Sequence, residues 1–456
     1  MLNIQFYGAH MSQLEFEHSQ AKLTEIAQYI LERALSLGAS SAQVEMNESI
    51  ETEVAVLNGD IDSFETSYDS SLGLTVYIGH NRGSVGISQV PPHNIDGIIK
   101  QALNIAQYTQ PDPHNGLADP SLMCQGFSDK LALFNPLSLN NQEIINKAKN
   151  IEAIALNLDS HITQSDGAAI SLAKYNFVLA NSNGLNLGYP TTRYGASLSI
   201  IGHSQEGMQT DYWYDSSRDF NELIPNNQLA TTAAKRLLRR LNKGQIAAGK
   251  YPVIFEAPIA KSLIGNFLGA ISGNNLYRQL SFLTNSLNTQ VFPSWVNISE
   301  DPFVVKGLAS CYFDNEGVQV APRKLVAEGK VNGYLLSSYS ARKLGLQTTG
   351  NAGGNHNIIV QANFSGDIYQ LARTMGTGLI IIETIGHGVN MVTGDYSVGA
   401  SGLWVEHGEV QFFVDNLTIA GNLKQIYHNI QYISDDINHG SILCGSILVD
   451  GINVSA

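Results

Sequence analysis

The chain has 456 residues, a formal net charge of −14 and 14% charged residues, where soluble domains average about 25%. That length exceeds the roughly 250–300 residues at which one core stops growing, so two domains, or three, are expected. The acidic balance without a basic run argues against a nucleic-acid partner, and no apolar run reaches the roughly 18–20 residues that span a bilayer.

The opening MLNIQFYGAHMSQ lacks the basic-then-apolar pattern of a secretory signal, so cytoplasmic residence is expected. Met1 and Met11 are both possible starts. The three cysteines, Cys124, Cys311 and Cys444, are scattered and odd in number, which fits a reducing compartment and small buried side chains better than a disulfide framework.

The first helix is expected over 18–37, where Leu23, Ile26, Ala27, Ile30, Leu31, Ala34 and Leu35 form an apolar stripe that stops at Gly38. Two hairpins should supply the sheet it packs on. One turns at Asn58-Gly59, a pair that meets the positive-φ demand of a type I′ turn, and the other turns between Gly79 and Gly83. A second helix is expected over 94–109, and a Pro-, Asp- and Gly-rich connector over 110–139. A third helix over 141–157 has Asn140 and Glu143 spaced as a capping box. Strands alternate with turns to about Asp215, and a helix over 228–241 ends before Gly244. The stretch KGQIAAGKYP is the expected domain boundary. Beyond it, Val253-Ile254-Phe255 leads into Ile259, Leu263, Ile264, Phe267 and Leu268 at helical spacing, which reads as strand, tight turn and helix. Short strands and one further helix, over 366–375, fill the rest.

The expected fold is α+β: an N-terminal helix-and-antiparallel-sheet domain over 1–245, with a possible subdivision near 110–140, then a β-rich domain over 246–456 with few helices. The histidines include no pair closer than eight residues, so there is no local zinc motif. Gly394 to Gly399 lacks the spacing of a serine elbow, and the glycine runs fit neither a dinucleotide fingerprint nor a P-loop. Asp314-Asn315-Glu316-Gly317 reads as a hairpin turn rather than a calcium loop. TGNAGGNHN, 349 to 357, is the candidate peptide-binding loop. Gly353 and Gly354 admit a backbone closely, and Asn351, Asn355, His356 and Asn357 offer donors and acceptors to an extended peptide.

GAISGNNLYRQLSFL (269 to 283), GLAS (307 to 310), FDNEGV (313 to 318), YSARKLGL (339 to 346), TGNAGGNHN, TGDYSVGASGLWVEHGE (393 to 409), IAGNLK (419 to 424) and Cys444-Gly445-Ser446 together resemble the PmbA (TldE) branch of the TldD/PmbA metallopeptidase family. In the sister TldD branch the helix carries His-Glu-x-x-x-His and binds zinc. Carried over through Leu263, Gly265 and Phe267, those positions are Glu256, Ala257 and Lys261 here, while Cys444 matches a further ligand. The resemblance implies that this chain holds no metal or cofactor, with Glu256 pairing with Lys261 or water. Zinc is then expected in a TldD-like partner, bound in a heterodimer, and this chain would be a homodimer in isolation. The implied role is proteolysis or maturation of peptides and unfolded polypeptides. A self-sufficient peptidase or amidase, and a non-enzymatic peptide- or protein-binding regulator, remain alternatives.

Overall fold

The computed structural model describes residues 15–88, 94–137, 140–437 and 439–455. The opening segment that bears on the two possible starts lies outside the described residues, as do positions 138 and 139 of the connector. The chain divides into two compact units. One comprises the residues up to Ile201 with Thr210–Lys235 and Tyr312–Gln319; the other comprises Gly202–Gln209, Arg236–Cys311 and the chain from Val320 on.

The first unit begins with α1 (Gln20–Ser36), capped by the Ser19 side chain accepting from the Lys22 N–H. Its stripe of Leu23, Ala27, Ile30, Leu31 and Ala34 is buried as the spacing predicts, whereas Leu35 faces outward. Strands β1 (Ser41–Leu57) and β2 (Asp60–Ile78) join through Asn58 (φ 53°) and Gly59 (φ 79°), the paired positive φ of the expected turn. β3 (Asn81–Ser88) follows the second hairpin, then α2 (Ile95–Tyr108) and α3 (Asn141–Leu156), whose Asn140–Glu143 capping box is formed. Glu152 of α3 accepts the N–H groups of both Asn58 and Gly59 at 2.9 and 2.6 Å, which ties the hairpin tip to the helix. β4 (Ile162–Asn181), β5 (Asn186–Ser204) and β6 (Gly207–Ser217) complete a six-stranded sheet of order β3-β2-β1-β4-β5-β6. α4 (Asn226–Leu238) follows and ends three residues short of the expected terminus. In this unit Val44, Met46, Leu72, Leu74, Val178 and Ala180 pack against α1 and α2. The connector is ordered around a second cluster in which Phe127 stacks on Tyr312 at 4.0 Å. Asp314 accepts the Glu316 and Val318 N–H groups at 2.9 Å each, confirming a hairpin turn there.

The second unit opens with β7 (Gly249–Phe255) running into α5 (Ala257–Ala270), the strand-turn-helix read from the sequence. Then come α6 (Gly273–Tyr277), β8 (Ile298–Asp301), β9 (Arg323–Ala327), β10 (Lys330–Val331), α7 (Ser338–Leu344) and β11 (Asn357–Val360). The chain continues with α8 (Ile368–Met375), β12 (Gly378–Ile385), β13 (Asp395–Glu406), β14 (Glu409–Asn422) and α9 (Leu423–His428). It closes with β15 (Ile430–Ile433), β16 (Ile442–Leu443) and β17 (Ile447–Ser455). One sheet has the order β10-β9-β8-β11-β16. The other has the order β14-β13-β12-β7-β17-β15, and an added β14–β17 pairing closes five of its strands on themselves. Only α5 and α8 are predictable from periodicity. α6, α7 and α9 span 5, 7 and 6 residues, too few for a 3.6-residue pattern to register, and the last two are set by Ser337 and Asn422 caps. No described helix is long and apolar enough to cross a membrane.

Candidate functional site

The segment entering α5 is fixed from both sides. Val253, Ile254 and Phe255 are fully buried, pairing with β12 on one side and β17 on the other, and the Glu256 N–H donates to Ile381 O at 3.0 Å. Glu256 occupies the N-cap position of α5 without capping it. Its carboxylate turns instead to the end of α4. Arg236 Nη1 donates to Oε2 at 2.7 Å, and Arg239 reaches Oε1 at 2.8 Å and Oε2 at 3.0 Å. All three side chains are 10–13% exposed. Burial pushes the Glu256 carboxyl up, but the two guanidinium charges outweigh it and hold the group below the usual carboxylate range. The expected pairing of Glu256 with Lys261 or water is therefore corrected: two arginines 17 and 20 residues upstream take it. The RLLRR run at 236–240 was the available signal, but helical spacing does not show which acid it meets. Arg240, next in the run, pairs with Glu383 at 2.9 Å.

Around Glu256 the other positions of the sister motif are equally committed. The Ala257 N–H donates to Ser446 Oγ at 3.1 Å, and Ser446 Oγ and N–H donate to Asp436 at 2.8 and 2.7 Å. Lys261 Nζ donates to the His439 carbonyl at 2.5 Å. Cys444 is fully buried. Burial first, and the Asp436 charge second, push its thiol up to about 12 against the opposing pull of Lys261. This donor set does not fit a zinc ion. The carboxylate is already neutralised by two guanidinium groups, one position offers only a methyl, one is an ammonium, and the thiol holds its proton.

The 349–357 loop is built on a second buried carboxylate, which the sequence reading missed. Glu300 on β8 is 1% exposed and accepts from Arg323 Nε, Asn351 Nδ2 and the His356 N–H, each at 2.8 Å. Asn351 also accepts from Arg323 Nη2 at 2.8 Å and donates to Gly354 O at 3.0 Å. His356 Nε2 donates to Gly350 O at 2.8 Å, leaving Nδ1 3.2 Å from Cys311 Sγ. Asn357 Nδ2 donates to Asp301 O and to Ser310 Oγ at 2.8 Å, and its Oδ1 accepts from Ala309 N at 3.0 Å. Asn351, His356 and Asn357 are thus spent within the loop's own framework, and Asn355 Nδ2 donates to His356 O at 2.7 Å. Cys124 and Cys444 are buried as expected, but Cys311 is half-buried against an imidazole rather than a plain core residue.

What the loop exposes is the Gly353-Gly354 pair, although the Gly354 N–H donates to Asn351 O at 3.1 Å and its carbonyl accepts from Asn351 Nδ2. Asn351, Gly353, Gly354 and Asn355 line a cleft of about 520 Å³ whose other walls are Gly265, Leu268 and Gly269 of α5, the start of α6, Ser337 and Ser340 of α7, and Ile442. Gly353 and Gly354 have φ of 100° and 121°, so glycine is needed there for conformation as well as for access. Ile442 belongs to β16, the edge strand of its sheet. The arrangement sets a short edge strand, an exposed pair of glycines and a helix face with two glycines around one cleft, where an extended backbone has room to approach.

Comparison with known proteins gives family matches along most of the chain. Residues 42–106, 134–241 and 248–456 match the family models described as PmbA/TldA metallopeptidase domain 1, central domain and C-terminal domain. The chain is 39% identical over 437 residues to the metalloprotease PmbA homolog of Haemophilus influenzae, covering 96% of each. It is 38% identical to the metalloprotease PmbA of Escherichia coli O157:H7, covering 94% of this chain and 97% of that one. A solved structure from Bacteroides thetaiotaomicron VPI-5482, described as a candidate modulator of DNA gyrase, superposes with a TM-score of 0.89 at 25% identity, covering 95% of this chain and 98% of that one. TldE from Thermococcus kodakarensis shares the fold with a TM-score of 0.82 at 18% identity, covering 96% of this chain and 100% of that one.

Proposed function

We propose a function from one premise: the chain belongs to the PmbA/TldD metallopeptidase family, in its PmbA branch. On this reading it is the peptide-holding, non-catalytic subunit of a cytoplasmic metallopeptidase that trims peptides and unfolded polypeptides. A TldD-like subunit supplies the catalytic zinc. The observation that carries the reading is the Arg236–Glu256–Arg239 clamp at the motif position: a scaffold that keeps the strand-turn-helix but neutralises its would-be ligand internally is suited to binding rather than hydrolysis. The cleft beside Gly353 and Gly354 supports the substrate class. An extended peptide can lie beside the edge strand β16 where Gly353 and Gly354 admit its backbone closely, and Gly265 and Gly269 of α5 leave room for its side chains.

The catalytic chain need only be a relative with the same fold, because related scaffolds pair through equivalent surfaces and form pseudo-twofold dimers, with the homodimer as the form taken alone. The test is co-expression with the TldD-like protein of the same organism, followed by sizing chromatography and a cleavage assay on unstructured peptides. Joint elution with chelator-sensitive cleavage that neither chain shows alone is the expected result. Separate elution, or full activity of the zinc-bearing chain without this one, overturns it.

A further inference from the structure

Among the described residues one group of histidine and carboxylate side chains is arranged to take a metal ion, and it lies in the N-terminal unit. Glu17, His18 and Glu48 bring their ligand-capable atoms within 4.8 Å of one another. His18 immediately precedes Ser19, the N-cap of α1, while Glu48 sits mid-strand in β1 and is 6% exposed. A carboxylate buried to that degree requires compensation. Glu48 receives two contacts from one residue: His18 Nδ1 at 2.5 Å from Oε1, and the His18 N–H donating to Oε2 at 3.3 Å.

A second, independent observation lies beside this group. Asn176 stands directly opposite Glu48 in the β1–β4 register and is 2% exposed. Its Nδ2 donates to the His18 carbonyl at 3.2 Å, yet its Oδ1 is buried without a hydrogen-bond partner. Beside Glu48 the layer thus keeps one buried acceptor unmet, a condition that a cation with its bound water relieves. Glu17, His18 and Glu48 also line a cleft of about 420 Å³, large enough for an ion and its waters, and Lys22 on the same wall is turned to Glu25 at 3.0 Å.

We propose that Glu17, His18 and Glu48 bind a divalent transition-metal cation, zinc in the first place, which clamps the start of α1 to β1. Coordination requires a bare imidazole nitrogen, so any proton on the ligating nitrogen of His18 leaves to solvent as the ion binds. One imidazole with two carboxylates selects for zinc or manganese over calcium and magnesium, which prefer oxygen ligands alone. The site is separate from the zinc-motif positions of the second unit and is structural rather than catalytic.

The test uses the full chain stripped with chelator and titrated with zinc alone by calorimetry, with bound metal counted after desalting and melting followed in parallel. Expected are one zinc per chain, a raised melting temperature, loss of binding in His18→Ala, about tenfold or more weaker binding in Glu17→Gln, and no change in Cys444→Ser. Glu17 is exposed, so its variant stays folded and keeps the test decisive if His18→Ala does not. Substoichiometric zinc, affinity unchanged in Glu17→Gln, or calcium and magnesium binding as tightly as zinc would each overturn the proposal, the last by marking an ordinary acidic surface.

Discussion

At Glu256 one carboxylate is shared by two arginines in a nearly water-free place, and the consequence of removing it differs from that of a surface ion pair. An exposed pair contributes about 0–1 kcal/mol. Deleting the acid here removes the carboxylate that both buried guanidinium groups share, and breaking a buried pair costs about 3–5 kcal/mol. Glu256→Gln is therefore expected to lower stability by about that amount in urea titration, although glutamine keeps the shape and half of the hydrogen bonding. Arg236→Met, Arg239→Met and Glu256→Leu combined should recover most of the loss, because a well-packed apolar triad replaces a buried charged one at little net cost. A Glu256→Gln loss under 1 kcal/mol would show that the clamp is hydrated and the electrostatic account wrong.

At the scale of the element, the question is whether α5 can be returned to metal binding. Glu256→His, Ala257→Glu and Lys261→His together restore the sister motif's residues at the N-cap and first turns of α5, yet Arg236 and Arg239 remain, and two guanidinium charges repel a dication. The triple variant is expected to bind zinc no better than the parent when metal content is measured with Glu17→Gln in the background. Adding Arg236→Ala and Arg239→Ala is expected to create binding; zinc uptake by the triple variant alone would remove the arginines from the explanation. The same helix supplies a clean probe of the cleft. A Cβ at Gly265 meets nothing within 4 Å, and leaving glycine inside a helix gains up to about 1 kcal/mol. Gly265→Leu should thus fill the cleft, weaken peptide capture in the partner-containing complex by about tenfold or more, equivalent to about 1.4 kcal/mol, and leave melting unchanged or raised. Unchanged capture would place the peptide elsewhere. Gly353→Val and Gly354→Val, an obvious choice from the sequence, are poorer probes because φ of 100° and 121° would strain valine.

Elements were legible where the signal is local. The α1 stripe, the Asn58-Gly59 turn, the Asn140–Glu143 box and the β7–α5 junction are each written within a few consecutive residues. The site was legible only as places. Nothing near Glu256 in sequence announces Arg236 and Arg239, and nothing in TGNAGGNHN reveals that Glu300, some 50 residues earlier, consumes its asparagine and its histidine N–H. Ion-pair and hydrogen-bond partners are chosen by tertiary packing, so residue type and spacing locate a loop without saying which of its polar groups remain available.

At the scale of the whole molecule, the described groups with shifted titration include more whose folded form resists alkali than resist acid, and this sets the shape of the stability against pH. Buried Cys444 is pushed up to about 12, Tyr396 likewise, and Tyr427, whose hydroxyl donates to Leu263 O at 2.9 Å, well above its ordinary value, in each case chiefly by burial. For a group whose folded pKa is raised, the unfolded chain loses its proton first. The stabilisation is complete below the unfolded value and is lost as pH rises toward the folded one. For Cys444 that window opens near pH 8.5, the ordinary thiol value, well before the tyrosines begin to titrate. Lys147 and Lys174, held low by burial, act weakly in the opposite sense at higher pH. Glu256, held low, contributes stability above about pH 4.3 that is lost as pH falls through its folded value. Between pH 8 and 10.5 the parent is expected to lose about 2–3 kcal/mol through Cys444 alone, at about 1.36 kcal/mol per pH unit beyond 8.5. Cys444→Ala starts less stable, because it leaves a cavity, but should show a correspondingly flatter decline over that interval in denaturant midpoints. An identical decline in parent and variant would mean that the thiol ionises in the folded protein and that water reaches it.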